Sequence, residues 1–170
     1  MRIATRYLRH SFVPLLALML VACAPEPIYK NVPNAVAAPP SLVAQSPERY
    51  AGGDVIWGGR VVQVTTLANH SEIELLAYPL DSSQRPQLND IGNGRFIAVM
   101  PGYVEPLDYP PGALITISGK LNGSRVGAVG EASYVFPLVG VAQSHVWTPK
   151  EMNQGRNNVQ FGLGVGVGIR

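Results

Sequence analysis

The sequence predicts a small all-β domain, a five- to six-stranded OB-like Greek-key barrel behind a Pro-rich N-terminal segment. Three observations lead there. Short β-branched and apolar runs recur between clusters of Gly, Pro and Asn. No segment carries an apolar stripe at helical spacing for more than two turns. Gly58-Gly59, in the middle of the first run, suggests a bulge or sharp coil where one strand serves two sides of a closed sheet. A small β-sandwich is the competing architecture.

The elements follow in chain order. Val55-Ile56-Trp57 and Val61-Val62-Gln63-Val64 flank the double Gly in strand one. Asn69-His70-Ser71 is a turn, after which Ile73, Leu75 and Ala77 alternate with Glu72, Glu74 and Leu76, giving the hairpin partner that ends at Pro79. A polar loop, Asp81 to Asn93, precedes a third strand, Gly94 to Met100, stopped by Pro101-Gly102. Tyr103 to Pro111 is Pro-rich and irregular. Ala113 to Leu121 is the clearest strand, and Asn122-Gly123 sits where a hairpin turn belongs. Gly127 to Gly130 reads as a short connector, and Tyr134 to Trp147 as a long last strand interrupted at Pro137.

Ahead of this domain stands a leader, residues 1–22. Arg2, Arg6 and Arg9 form a basic start, and the apolar run from Leu15 to Ala22 carries no charge. That run is too short to span a bilayer, which takes about 20 apolar residues, and reads as a secretory signal. Leu20-Val21-Ala22-Cys23 resembles the bacterial lipobox. Small or slender residues must precede the cysteine so that a signal peptidase can seat the chain beside a diacylated side chain. The resemblance implies cleavage before Cys23, diacylglycerol on its sulfur and a further acyl chain on its freed amine. Each buried methylene contributes about 0.8 kcal/mol, so several chains on one residue make a stable anchor. Cys23 is the sole cysteine, which excludes an intramolecular disulfide, and acylation would leave no free thiol. Ala24 follows it where an Asp would imply retention in the inner membrane in the sorting pattern of enteric-type bacteria. The outer membrane, with the domain facing the periplasm, is therefore expected.

The leader carries three of the 13 basic residues and none of the acidic ones, leaving 10 basic against 11 acidic and a formal charge of −1. No clustered positive face argues for nucleic acid. Residues 23–48 hold six prolines and read as a tether, with Ile28, Tyr29 and Val32 packing on the domain as the alternative. The domain is expected over 49–148, and 149–170 as a polar linker and tail. In that tail Phe161, Leu163, Val165, Val167 and Ile169 alternate with glycines. As a strand this puts every large side chain on one face, a surface for self-association or envelope contact; the other reading is an unstructured end.

Trp57-Gly58-Gly59, Glu74 to Asp81, Gly94-Arg95-Phe96, Pro101 to Tyr109, Pro111-Gly112 and Gly130-Glu131, together with the lipobox, resemble the Slp family of starvation-inducible outer-membrane lipoproteins. The resemblance runs from about Tyr50 to Trp147. It implies an outer-membrane lipoprotein linked to stationary phase or stress, without an established catalytic activity or cofactor. Only Cys23 is carried over as a family functional residue.

The residues themselves assemble no reaction centre. His70 and His145 lack ligand spacing, and a metal site needs three or four convergent donors. There is no G-x-S-x-G elbow, phosphate loop or dinucleotide fingerprint, and Ser118 fits β packing. Glu105 and Asp108 form a conceivable acid–base pair; the plainer reading has them bonding backbone amides or Arg95. Trp57, Tyr103 and Tyr109 are the candidate binding surface for a peptide, glycan or small molecule, with core or plug roles as the alternative. The expectation is thus a non-enzymatic envelope protein, without cofactor beyond its acyl chains. Its expected partners are outer-membrane lipid through Cys23, and envelope proteins or its own copies through the tail. A periplasmic binding module is the alternative.

Overall fold

A computed structural model describes residues 26–30, 32 and 35–154. Two short helices, α1 (Pro40–Gln45) and α2 (Pro47–Tyr50), precede the strands β1 (Asp54–Thr66), β2 (His70–Tyr78), β3 (Arg95–Pro101), β4 (Leu114–Val129) and β5 (Ala132–Trp147). A further helix, α3 (Pro149–Asn153), follows. The strands close into a barrel in the order β1-β2-β3-β5-β4. All pairings are antiparallel except β3 with β5, a short parallel contact that joins Ile97 to Leu138, Ala98 to Val139 and Val99 to Gly140. This is the five-stranded Greek-key barrel expected, closed on itself, and not a sandwich.

The double glycine has the expected role. Over Gly58, Gly59 and Arg60, β1 pairs with β2 on one side and β4 on the other. A Cβ on Gly59 would stand 2.2 Å from the Leu76 carbonyl oxygen, so only a bare backbone fits there. The register shift itself lies further on, between Val61 and Gln63.

The alternation read from β2 is observed. Ile73, Leu75 and Ala77 point into the core with Val55, Trp57, Val61, Phe96, Ala98, Met100, Ile115, Ile117, Leu121 and Val139. Trp57 and Phe96 meet edge to face with centroids 5.2 Å apart, a favoured aromatic geometry.

The ends of the last two strands differ from those expected. Asn122-Gly123 is no hairpin turn: β4 continues to Val129, and the pair forms a bulge between Leu121 and Ser124 with Gly123 at φ +104°. The hairpin turns instead at Gly130-Glu131, between the paired Val129 and Ala132, with Gly130 at φ +61° as a two-residue II′ turn requires. β5 likewise runs through Pro137, which faces Ser124 at the bulge and precedes the β3 pairing, so its missing N–H disturbs little of the ladder.

Residues 35–50 are also not a free tether. Val36 donates its N–H to the Asp54 carbonyl, Ser41 donates to the Asn93 carbonyl, and Val43 is fully buried in the barrel core. Burial of a valine contributes about 1.5–3 kcal/mol, enough to hold the segment in place. At the other end, Thr148 to Asn153 is a capped helix rather than linker. The Thr148 hydroxyl accepts from the Glu151 N–H, the Glu151 carboxylate accepts from the Thr148 N–H, and Pro149 stands at the first helical position.

Candidate functional site

A densely bonded polar cluster lies on the outer flank of β4, where the N-terminal arm crosses the barrel. The bare face of Gly58 admits the β2–β3 loop: a Cβ there would stand 2.7 Å from the Thr116 hydroxyl and 2.8 Å from a Leu80 methyl. The loop crosses β1 at this point and delivers Gln84, whose backbone sits at φ +67°, a conformation costly for a residue with a Cβ. Its carbonyl accepts from the Thr116 hydroxyl at 2.7 Å, and that hydroxyl accepts from the Trp147 indole N–H at 2.9 Å. The Gln84 amide grips the arm: Oε1 accepts from the Tyr29 N–H at 2.8 Å and Nε2 donates to the Tyr29 carbonyl at 3.1 Å. The Tyr29 hydroxyl then donates to the Thr116 carbonyl at 3.0 Å. Burial, with a smaller contribution from neighbouring Tyr109, pushes the Tyr29 hydroxyl up to about 12, so it stays protonated and donating.

Arg85 secures the rest of this flank. Its Nε donates to Asp81 Oδ2 at 2.9 Å, while Nη1 donates to the carbonyls of Glu151 and Gln154 at the end of α3. Cations near a helix C-terminus meet its unsatisfied carbonyls, which favours this arrangement.

Trp57, Tyr103 and Tyr109 are not brought together. Trp57 is buried, its indole N–H donates to the Ala38 carbonyl at 3.0 Å, and it borders a cavity of about 330 Å³ with Pro39, Tyr78 and Leu80. Neither Tyr103 nor Tyr109 lines that cavity. Tyr103 is 66% exposed and donates to Glu105 Oε2 at 2.8 Å. Tyr109 packs on the core and shares a 3.2 Å hydrogen bond with the Ser144 hydroxyl. The plug reading therefore fits Tyr109 and the core reading fits Trp57.

The remaining candidates are also placed. Arg95 does not meet Glu105 or Asp108; it pairs with Glu74, which also accepts from Gln63 Nε2 at 2.9 Å. His70 opens β2 rather than sitting in a turn, and its Nε2 lies 3.3 Å from Glu72 Oε1. Glu72 is gripped bidentately by Arg125, at 3.0 and 2.7 Å. This guanidinium, before any other influence, holds the Glu72 carboxyl below the usual glutamate range. His145 Nε2 lies 3.2 Å from Glu151 Oε1 without the angle of a hydrogen bond, its ring edge-on to Trp147 at 4.5 Å. Ser118 is buried in β4. The outer rows of β2 and β3 and the β4–β5 connection are where OB-type barrels take oligonucleotides or sugars. In this chain, Glu72 and Glu74 on that row of β2 hold Arg125 and Arg95.

Among the described residues, no group of His, Cys, Asp and Glu is arranged to hold a metal ion, and no helix is long and apolar enough to cross a membrane. Cys23, the lipobox residues Leu20, Val21 and Ala22, and the alternating tail beyond Gln154 lie outside the described residues. Sequence reasoning missed the clamp. Its one signal was the alternative reading of Tyr29 as an arm residue, and nothing local in the loop marks Gln84 as its partner.

Comparison with known proteins places this architecture. The chain is 28% identical over 152 residues to outer membrane protein Slp of Escherichia coli strain K12, covering 88% of this chain and 80% of that protein. It is 32% identical over 105 residues to the lipoprotein YeaY of the same organism, covering 62% of this chain and 54% of that one. A Haemophilus influenzae protein is 37% identical over 92 residues, covering 54% of this chain and 50% of its own length. The chain thus spans about half the length of these last two relatives. No solved structure matches. The model of the outer membrane lipoprotein Slp family matches residues 20–163, and the chain belongs to that family, with its place at the outer membrane.

Proposed function

We propose that this chain is a non-enzymatic interaction protein of the cell envelope, held by acyl chains on Cys23 with its barrel in the periplasm. The observation that carries this reading is the clamp of Tyr29 by Gln84 and Thr116. It joins the segment next to the anchor rigidly to the barrel, which suits a protein whose position at the membrane is its task. Partners are envelope components or further copies of the chain, and the tail from 159 to 170 is the element offered for contact. A role in stress or stationary phase accords with the family resemblance.

In-cell crosslinking of the acylated protein, followed by identification of what it captures, tests the reading. Envelope proteins or copies of the chain are expected, and Cys23→Ser should move the protein to the soluble fraction. Unchanged membrane retention of Cys23→Ser would overturn the anchor. Deleting residues 159–170 should leave the barrel folded and reduce self-association or envelope contact; unchanged sedimentation and fractionation would remove the tail from the account.

The cavity beside Trp57 favours a second reading, a module binding a small molecule or peptide. Its volume of about 330 Å³ and its Pro39, Tyr78 and Leu80 walls suit an apolar group. Quenching or shift of tryptophan fluorescence by periplasmic extract, lost in Leu80→Asp, would support it.

A further inference from the structure

The N-terminal arm and the last helix meet on one flank. Glu26, Ile28, Arg85, Trp147, Glu151 and Gln154 border a single cavity of about 360 Å³. Both directions of the chain leave the described barrel from here: back toward Cys23 from Glu26, and on toward Phe161 to Ile169 from Gln154. We propose that this flank lies against the bilayer, with a phospholipid headgroup surface as its partner, an inference that rests on Cys23 being the acylated residue.

The first support is reach. Glu26 comes three residues after Cys23, a stretch that spans at most about 11 Å even when fully extended. The second is rigidity. A flexible strap would let the barrel tumble above its anchor, but Tyr29, three residues after Glu26, is bonded at its N–H, its carbonyl and its hydroxyl. Lys30 and Glu26 are ion-paired within the arm. An anchor within about 11 Å of a fixed point on a rigid barrel determines which side faces the membrane. The third support is the exit of the chain at Gln154, held by Arg85 beside the same cavity. The described chain thus begins and ends beside one cavity.

The reference position lies toward the far end of the β4–β5 ladder, whose near end pairs Leu114 with Trp147. Val126, 71% exposed, sits on the extension of β4 beyond the bulge. Its neighbour Arg125 grips Glu72 of β2, a strand that borders neither β4 nor β5.

The test uses the full acylated chain in phosphatidylethanolamine–phosphatidylglycerol vesicles. Cys23 is the sole cysteine and its sulfur is acylated, so one introduced cysteine gives one labelling site. Lys150→Cys, on α3 of the proposed flank, and Val126→Cys each carry a fluorophore, and a headgroup-nitroxide lipid serves as quencher. Quenching at 150 should be several-fold stronger than at 126, and Gln84→Gly should narrow the difference by freeing the arm. Equal quenching, or stronger quenching at 126, overturns the orientation. Mass spectrometry and vesicle flotation separate the two failures. A protein without acyl chains, or one that does not float, removes the anchor and this proposal together. An acylated, floating protein with the wrong order of quenching removes the orientation alone.

Discussion

Gln84 and Tyr29 bond each other twice, side-chain amide to backbone amide, in the manner of a strand pair made with one side chain. The loop residue holds an unfavourable backbone angle to do so. Gln84→Gly should relieve that angle while freeing the arm. The expected outcome is faster hydrogen exchange at the Tyr29 amide with little loss in barrel melting temperature. Gln84→Ala keeps the strained angle without the bonds and should be less stable than Gln84→Gly by about 1 kcal/mol. Melts in the reverse order would contradict the strain, and unchanged exchange at the Tyr29 amide would contradict the clamp.

Trp57 connects the core to the segment before α1. Trp57→Phe removes the indole bond to the Ala38 carbonyl and leaves a gap beside Phe96. A loss of about 1–3 kcal/mol in chemical denaturation is expected, since a bond of about 1 kcal/mol goes with some buried area. Limited proteolysis should then cut between Val36 and Pro40 before the barrel opens.

Acid should weaken the Glu72–Arg125 link. The folded-state carboxyl of Glu72 is held below its ordinary value of 4.5, chiefly by the Arg125 guanidinium. Its contribution to stability is therefore present above that ordinary value and lost as pH falls through the lower, folded one. Arg125 is half exposed, so the effect is modest and screened by salt. In Arg125→Gln, melting temperature should depend less steeply on pH across the acid range. A slope equal to that of the unsubstituted chain would show that the pair is idle.

Gly140 leaves space for Asn122 at the β4 bulge. A Cβ at 140 would lie 2.3 Å from Asn122 Nδ2, the end of a side chain, whereas one at Gly119 would lie 2.3 Å from the Gly140 carbonyl, which is backbone. Gly140→Ala should therefore be destabilising alone and largely restored by Asn122→Ala. Gly119→Ala should not be rescued by the same change. A double-mutant cycle in denaturant reads the difference directly.

Much of the barrel was legible because one face of each strand is buried. The alternation at Ile73, Leu75 and Ala77 has a single physical reading, and Gly58-Gly59 announces a strand shared by two neighbours. Asn122-Gly123 misled because the dipeptide supplies a positive φ, and a bulge needs that as much as a turn does. α3 was readable and missed: Thr148, Pro149 and Glu151 spell a capping box, but five residues are too few to show an apolar stripe. The clamp was not readable, since Tyr29, Gln84 and Thr116 lie far apart in sequence and only the crossing of the β2–β3 loop over Gly58 unites them. The sequence left the core and surface readings of Trp57, Tyr103 and Tyr109 open for a related reason. An aromatic residue looks alike in sequence whether its polar end is free or bonded to its own backbone, as Trp57 is to Ala38.

The parallel contact of β3 with β5 is the shortest junction in the ring, joining only Ile97–Val99 to Leu138–Gly140. Every other junction is antiparallel, and β1–β2 and β4–β5 are hairpins joined by short turns. It is held by fewer paired residues than any other junction, so the ring is weakest there. It is also the place where a partner strand, or a damaged copy of the same chain, would enter a barrel that had sprung open.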